Sequence, residues 1–243
     1  MYPSAVITVL KPDPEVPLSR FEGWLTEKNI TWELIDVWKG EVPDIEDIKD
    51  GLIMLGGSTN AESEAQNPWM ADIKSLLRAA IAADMPVLGI CLGHQTLASA
   101  LGGQVSVADS RGGEHGAASL SWLPVAEGDP VVGALAKDGP CIVPESHNDA
   151  VTVLPPGALE LARTELYPNQ AFRYGSALGV QFHPEATPDE MGFTAARAGL
   201  DREEARRGLL EADEQVKKVG QAIAHAFATQ VLEYKARRAD VFA

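Results

Sequence analysis

Residues 86–95, Pro-Val-Leu-Gly-Ile-Cys-Leu-Gly-His-Gln, constrain the fold more than any other stretch of this 243-residue chain. Val87 to Ile90 is a short apolar run with the length of a buried strand. A helix-like stretch from Gln95 to Leu101 follows at once, and Gly102-Gly103 stops it. Cys91 stands at the turn between the two, with Gly89 two residues before it and Gly93 two after. Small residues at those places let the backbone fold back without clashes. The side chain at the turn is then held in a strained, exposed position, as in a nucleophile elbow with sulfur in place of oxygen. The N-terminus of the following helix favours the thiolate there. A buried core thiol at a strand end satisfies the same local pattern.

The stretches before the elbow repeat the strand–helix alternation. Ala5 to Leu10 (AVITVL) reads as a strand, and Lys11 to Pro17, with three prolines, as a loop. Leu18, Phe21 and Leu25 fall at helical spacing in a helix ending near Asn29. Trp32–Val37 and Leu52–Leu55 read as strands, the second running into Gly56-Gly57-Ser58. A strand that ends in paired glycines can present bare backbone N–H groups to a ligand. Asn67-Pro68 reads as an N-cap followed by Pro at the first helical position, ahead of a helix with Trp69, Ile73, Leu76 and Ala80 on one face. Continuous apolar strands alternating with helices predict a three-layer α/β fold. Its mostly parallel central sheet is flavodoxin-like and covered by helices on both faces. The hydrophobic fraction of 45% suits one such domain over 1–243, with a core at about 5–186 and a helical C-terminal extension at 187–243.

After Gly102-Gly103 the pattern changes to short strands between turns rich in Gly, Pro, Asn and Asp, which predicts a smaller antiparallel or mixed region. These strands are expected at 104–107, 117–123, 141–143, 151–154, 159–163, 171–174 and 178–182, with a brief helix near 131–135. Thr187-Pro188-Asp189-Glu190 has the spacing of a capping box. Asp201, with Glu204 three residues on, opens a long amphipathic stretch through Val216, Val219, Ile223, Phe227 and Val231.

The formal net charge of −15 argues against nucleic acid or an anionic membrane as the main partner. The two cysteines, Cys91 and Cys141, have no metal-like spacing and suit a reducing, cytoplasmic setting. Met1 to Leu10 lacks a basic segment ahead of an apolar core, which predicts no secretory signal, and no apolar run has the length of a membrane span.

A thiol nucleophile needs a base, and a carboxylate can fix the tautomer of that base. Of the five histidines, His183 ends an apolar strand and has Glu185 two residues on. On extended backbone, side chains at i and i+2 point the same way. Glu185 could then bond one ring nitrogen while the other faces Cys91. A surface His–acid pair fits the same short pattern. Gly89-Ile-Cys91-Leu-Gly93-His94-Gln95, followed by Gln181-Phe-His183-Pro-Glu185, closely resembles the class I glutamine amidotransferases, in the family's order. The resemblance covers roughly residues 5–186.

It implies a Cys91–His183–Glu185 triad and an oxyanion hole from the backbone N–H groups of Gly57 and Leu92. It also implies glutamine recognition through Gln95, with no metal or organic cofactor. Ser146-His147-Asn148-Asp149 resembles a segment of GMP-synthase-like members that lines the glutamine pocket, so Ser146 and His147 are further substrate-binding candidates; His147 is also the rival base. Glu114-His115-Gly116 stands where many members have Glu-Tyr-Gly. His94 and His225 are expected to be structural, and Cys141 to be core. The pattern is most similar to stand-alone GMP-synthase-like amidotransferase domains, and these residues contain no pyrophosphatase or Walker-type phosphate loop. Three functions follow. The first is a glutaminase passing ammonia to a separate synthase. The second is a γ-glutamyl peptidase using the same triad. The third is a non-enzymatic regulatory module, which an intact triad disfavours. The extension from Thr187 is expected to cover a sheet edge or form a homodimer contact.

Overall fold

The structure is a computed structural model that describes residues 4–241, with side chains described to residue 239. Met1 to Pro3, part of the stretch read above for a secretory signal, lie outside the described residues.

The first half of the chain supplies β1 (Ala5–Leu10), α1 (Phe21–Thr26), β2 (Ile30–Ile35), β3 (Gly51–Met54), α2 (Trp69–Ala82), β4 (Val87–Ile90) and α3 (Leu92–Ala100). The second supplies β5 (Gln104–Ser106), β6 (Glu114–Trp122), α4 (Gly133–Asp138), β7 (Cys141–His147), β8 (Ala150–Val153), β9 (Leu159–Arg163), β10 (Ala171–Tyr174) and β11 (Ala177–Val180). Three helices follow: α5 (Pro188–Arg197), α6 (Arg202–Glu211) and α7 (Asp213–Val241).

Nine strands form one sheet in the order β2-β1-β3-β4-β11-β10-β9-β6-β7. The pairs from β2 to β11 are parallel, and those from β11 to β7 antiparallel. The mostly parallel α/β core with helices on both faces is as expected. The antiparallel strands extend that sheet, and among the described residues only β5 and β8 pair apart from it.

Alternation along each buried strand sorts its side chains between two cores. Ile7, Val9, Ile53, Leu88 and Ile90 pack with Phe21 and Leu25 of α1 and Ile223 and Phe227 of α7. Leu10, Leu52, Met54 and Val87 pack with Ile73 and Leu77 of α2 and Leu97 of α3. These strands are buried on both faces, which is why they read as unbroken apolar runs.

Five local expectations change. Helix α3 begins at Leu92, immediately after Cys91, and the brief helix lies at 133–138. Pro68, not Asn67, holds the N-cap place of α2; the Asn67 side chain instead donates to Thr59 Oγ1 at 2.8 Å and Ser63 Oγ at 3.2 Å. The long C-terminal stretch is two helices, α6 and α7, broken at Ala212. Strand β11 ends at Val180, so His183 and Glu185 lie on a turn closed by the Ala186 N–H donating to the His183 carbonyl, not on extended backbone. Thr187 and Glu190 form the expected capping box, and Asp201 Oδ1 accepts from the Glu204 N–H.

Candidate active site

Cys91 sits at the C-terminal end of β4, between β3 and β11 in the middle of the sheet. Its backbone has φ +52° and ψ −104°, a region that non-glycine residues seldom adopt and that costs on the order of 1–3 kcal/mol. Two hydrogen bonds hold it there. The Cys91 N–H donates to the Val180 carbonyl at 2.9 Å, and the Gln95 N–H to the Cys91 carbonyl at 3.0 Å. The flanking glycines are required by contact. A Cβ on Gly93 would overlap the Met54 carbonyl of β3, and one on Gly89 would lie 2.6 Å from the Gly93 carbonyl oxygen.

The thiol meets two neighbours. Its Sγ lies 3.8 Å from the Ser146 carbonyl oxygen. Across Gly56 it faces His183: a Cβ on Gly56 would lie 2.9 Å from His183 Cε1 and 3.8 Å from Cys91 Sγ, so only glycine leaves the two side chains room. His183 is held from both ends. Its N–H donates to the Pro144 carbonyl at 2.9 Å, and Nδ1 lies 2.8 Å from Glu185 Oε1. Burial works against a charged imidazole here, but the Glu185 carboxylate and the Cys91 sulfur outweigh it and hold His183 well above its ordinary 6.5. Cys91, His183 and Glu185 are thus brought together.

All three line a cavity of about 540 Å³, with Gly57, Gln95, Ser146 and His147 also in its wall. Leu92 is the first residue of α3, where a backbone N–H has no intrahelical partner. Gly57 lies in the loop after β3, and Asp13 ties that loop down by accepting from the Ser58 N–H at 3.0 Å. Burial would raise the Asp13 carboxyl, but bonds from Ser58 and Glu15 leave it below the usual carboxylate range. Gln95 spends both N–H groups on the Asp149 carbonyl (3.1 Å) and Gln181 Oε1 (3.2 Å), so its carbonyl oxygen is what it could offer a ligand.

His147 does not face the sulfur. Its Nδ1 lies 2.9 Å from the Asp149 carbonyl, and Nε2 lies 3.3 Å from Glu114 Oε2 and 3.5 Å from Glu145 Oε2. The rival base is therefore set aside by orientation. His115 lines the cavity, with Nδ1 3.4 Å from Ser146 Oγ. His94 packs on Phe172, and burial lowers it to about 3. Burial pushes the Cys141 thiol up to about 11, which suits a core residue.

The sequence reading missed part of the wall. Asp13 lies in the proline-rich loop, and Met191, Phe193 and Arg197 of α5 close the far side, so the first helix of the extension belongs to the cavity. It also missed Glu145, whose side chain has no exposure. Burial, followed by Glu114, pushes that carboxyl well above 4.5. The signal was there: an acid within the otherwise apolar start of Cys141-Ile-Val-Pro-Glu-Ser-His.

Comparisons with known proteins bear on the fold and the family. The sequence model of the family described as glutamine amidotransferase class-I matches residues 30–201. A glutamine-hydrolysing GMP synthase subunit from Methanosarcina acetivorans is 35% identical over 158 residues, covering 62% of this chain and 74% of that protein. The corresponding protein of Halobacterium salinarum is 34% identical over 160 residues, covering 65% and 78%. The crystal structure of a glutamine amidotransferase from Thermotoga maritima superposes with a TM-score of 0.80 at 24% identity, covering 94% of this chain and 99% of that one, a likeness of fold. With the family match spanning well over half of its residues, the chain belongs to the class-I glutamine amidotransferases.

Proposed function

We propose that the chain hydrolyses the side-chain amide of L-glutamine, with Cys91 as nucleophile, His183 as general acid and base, and Glu185 orienting the imidazole. The observation that carries this reading is the Cys91 thiol on its strained elbow facing an imidazole anchored by a buried carboxylate.

The sulfur attacks the amide carbon, and the developing oxyanion meets the N–H groups of Gly57 and Leu92. A preorganised donor of this kind is typically worth on the order of 3 kcal/mol. His183 gives a proton to the departing ammonia, leaving a γ-glutamyl thioester on Cys91. His183 then takes a proton from water as the water attacks the thioester, releasing glutamate and the thiol. Gln95, Ser146 and His147 line the same cavity, which supports a part for them in positioning the substrate. The relatives named as subunits of a glutamine-hydrolysing GMP synthase support a division of labour, in which the ammonia passes to a separate synthase.

Purified protein assayed for ammonia and glutamate should turn over glutamine, more strongly once a synthase partner is added. Cys91→Ser should lose at least 10³-fold in kcat while keeping the fold by circular dichroism. Wild-type turnover in that variant would overturn the assignment of the nucleophile.

A second reading has its own support. A cavity of about 540 Å³ lies within the range of about 300–1,000 Å³ that takes drug-sized ligands, and its far wall on α5 gives room for an amine larger than ammonia. A γ-glutamyl peptidase would use the same residues. A panel of glutamine, γ-glutamyl peptides and glutathione conjugates separates the two: turnover of peptides without ammonia release from glutamine favours the second.

A further inference from the structure

In and just behind the cavity wall, three side chains from two paired strands converge on one point. Glu114 of β6 stands opposite His147 of β7 in the antiparallel register, and Glu145 lies two residues before His147 on the same face of β7. One ligand-type atom from each falls within 4.8 Å of the others. From these positions the geometry points to a binding site for one divalent transition-metal ion of the zinc type, ligated by Glu114, Glu145 and His147.

The histidine is set up as a ligand. The Asp149 carbonyl, 2.9 Å from Nδ1, can only accept, so Nδ1 carries a ring proton, and in the neutral ring the Nε2 lone pair faces the two carboxylates. A ring N–H spent on a backbone carbonyl is the usual way a protein orients a metal-binding imidazole. The spacing is also right. Bonds of about 2.0–2.1 Å to a tetrahedral ion put ligand atoms roughly 3.3–3.4 Å apart. Nε2 lies 3.3 Å from Glu114 Oε2 and 3.5 Å from Glu145 Oε2. Gln170 Nε2 donates to Glu114 Oε2 at 2.5 Å and fixes that carboxylate from behind.

Glu145 is the independent observation. Its side chain has no exposure, and neither carboxylate oxygen has a hydrogen-bond partner among the described residues. A buried carboxylate without donors is costly, and nearly all such groups are satisfied. A cation held between Glu145, Glu114 and His147 supplies what this group lacks. Two carboxylate oxygens and one imidazole nitrogen are a donor set that zinc, cobalt and manganese accept, with one coordination place left open. Between Glu145 and His147 lies Ser146, whose carbonyl touches the Cys91 thiol, so the ion would sit beside the proposed catalytic pair.

Cys91 itself can bind zinc, so the test uses Cys91→Ser as its background. Metal-stripped protein is titrated with Zn²⁺ against a chromophoric chelator, and with Co²⁺ for the visible spectrum of a tetrahedral site. One equivalent should bind, and Co²⁺ should show the intense absorption of four-coordinate geometry. In the same background, Glu145→Gln and His147→Gln should each weaken zinc at least 100-fold. Glu145→Gln keeps the size and shape of the side chain, and its thermal midpoint without metal serves as the check on folding. Should it fail to fold, Glu114→Gln replaces it, with the same loss expected. Absence of zinc binding in the Cys91→Ser background would overturn the site. So would affinity that Glu145→Gln, or Glu114→Gln in its place, leaves unchanged. Neither readout depends on glutamine turnover.

Discussion

The elbow residue is a local conflict between backbone and function. Cys91 holds φ +52° against its own preference, because the hydrogen bonds to Val180 and Gln95 and the packing of Gly89 and Gly93 overdetermine the turn. The proposed base is tuned from its other side. Glu185 holds His183 well above 6.5, and Cys91 contributes in the same direction. Removing the carboxylate charge should therefore let the imidazole titrate at lower pH. Glu185→Gln is expected to lower kcat by 10²- to 10⁴-fold, with the acid limb of the kcat/KM profile moved to lower pH. A profile that stays in place, or moves up, would argue that Glu185 only packs. Glu185→Ala should lose the pH effect and the ring orientation together.

Among the elements, the β4–α3 corner and α5 set the shape of the cavity. Gly93→Ala would drive a methyl group into the Met54 carbonyl, which is rigid backbone of β3. Overpacking of that kind should cost about 1–3 kcal/mol and displace Cys91, read as a lower denaturant midpoint together with at least a tenfold fall in kcat. Gly23 in α1 is the control: a Cβ there has no neighbour within 4 Å, so Gly23→Ala should stabilise by up to about 1 kcal/mol. Helix α5 is held at its start by the capping box. The Glu190 N–H donates to Thr187 Oγ1 at 3.3 Å, and Glu190 Oε2 accepts from the Thr187 N–H at 2.7 Å. Ser19 Oγ also donates to Glu190 Oε2 at 2.6 Å, joining the far wall of the cavity to the loop before α1. Thr187→Ala should cost about 1 kcal/mol and speed amide exchange across 188–197, whereas Thr187→Ser should behave as wild type.

For the molecule as a whole, a buried ion pair fastens the antiparallel part of the sheet to the segment that leads into α4. Arg173 of β10 forms a two-pronged bridge to Asp129, Nε to Oδ2 at 2.8 Å and Nη2 to Oδ1 at 2.9 Å, with side chains 9% and 2% exposed. Burial tends to raise the Asp129 carboxyl, but Arg173 and the N–H groups of Val132 and Val131 bring it below 3.8. Its folded value lies below the unfolded one, so its contribution is present above pH 3.8 and is lost as pH falls through the folded value. Asp129→Asn leaves the guanidinium buried without a counter-charge. It should cost about 3–5 kcal/mol at pH 7, with the gap to wild type narrowing below pH 4 in urea titrations. A constant gap across that range would place the loss in packing instead. No helix among the described residues is long and apolar enough to cross a membrane.

Several features were legible from residues 86–95, the apolar strands and the two short motifs. Strict alternation of apolar runs and helical spacings determined the α/β class, because strands buried on both faces leave no other pattern. The glycine bracket pointed to a tight turn at Cys91, and the contacts with Met54 and Gly93, where only hydrogen fits, bear it out. Tertiary structure decided the rest. His183 and Glu185 meet through a turn and not along a strand, since β11 stops at Val180. The split of the C-terminal stretch at Ala212, and the place of α5 in the cavity wall, depend on packing against β6, β7 and the loop around Ser19, which no local spacing encodes. Glu114, Glu145 and His147 lie up to 33 residues apart and meet only because β6 and β7 pair in one register. A shift of one residue would turn Glu114 to the opposite face and dissolve the group.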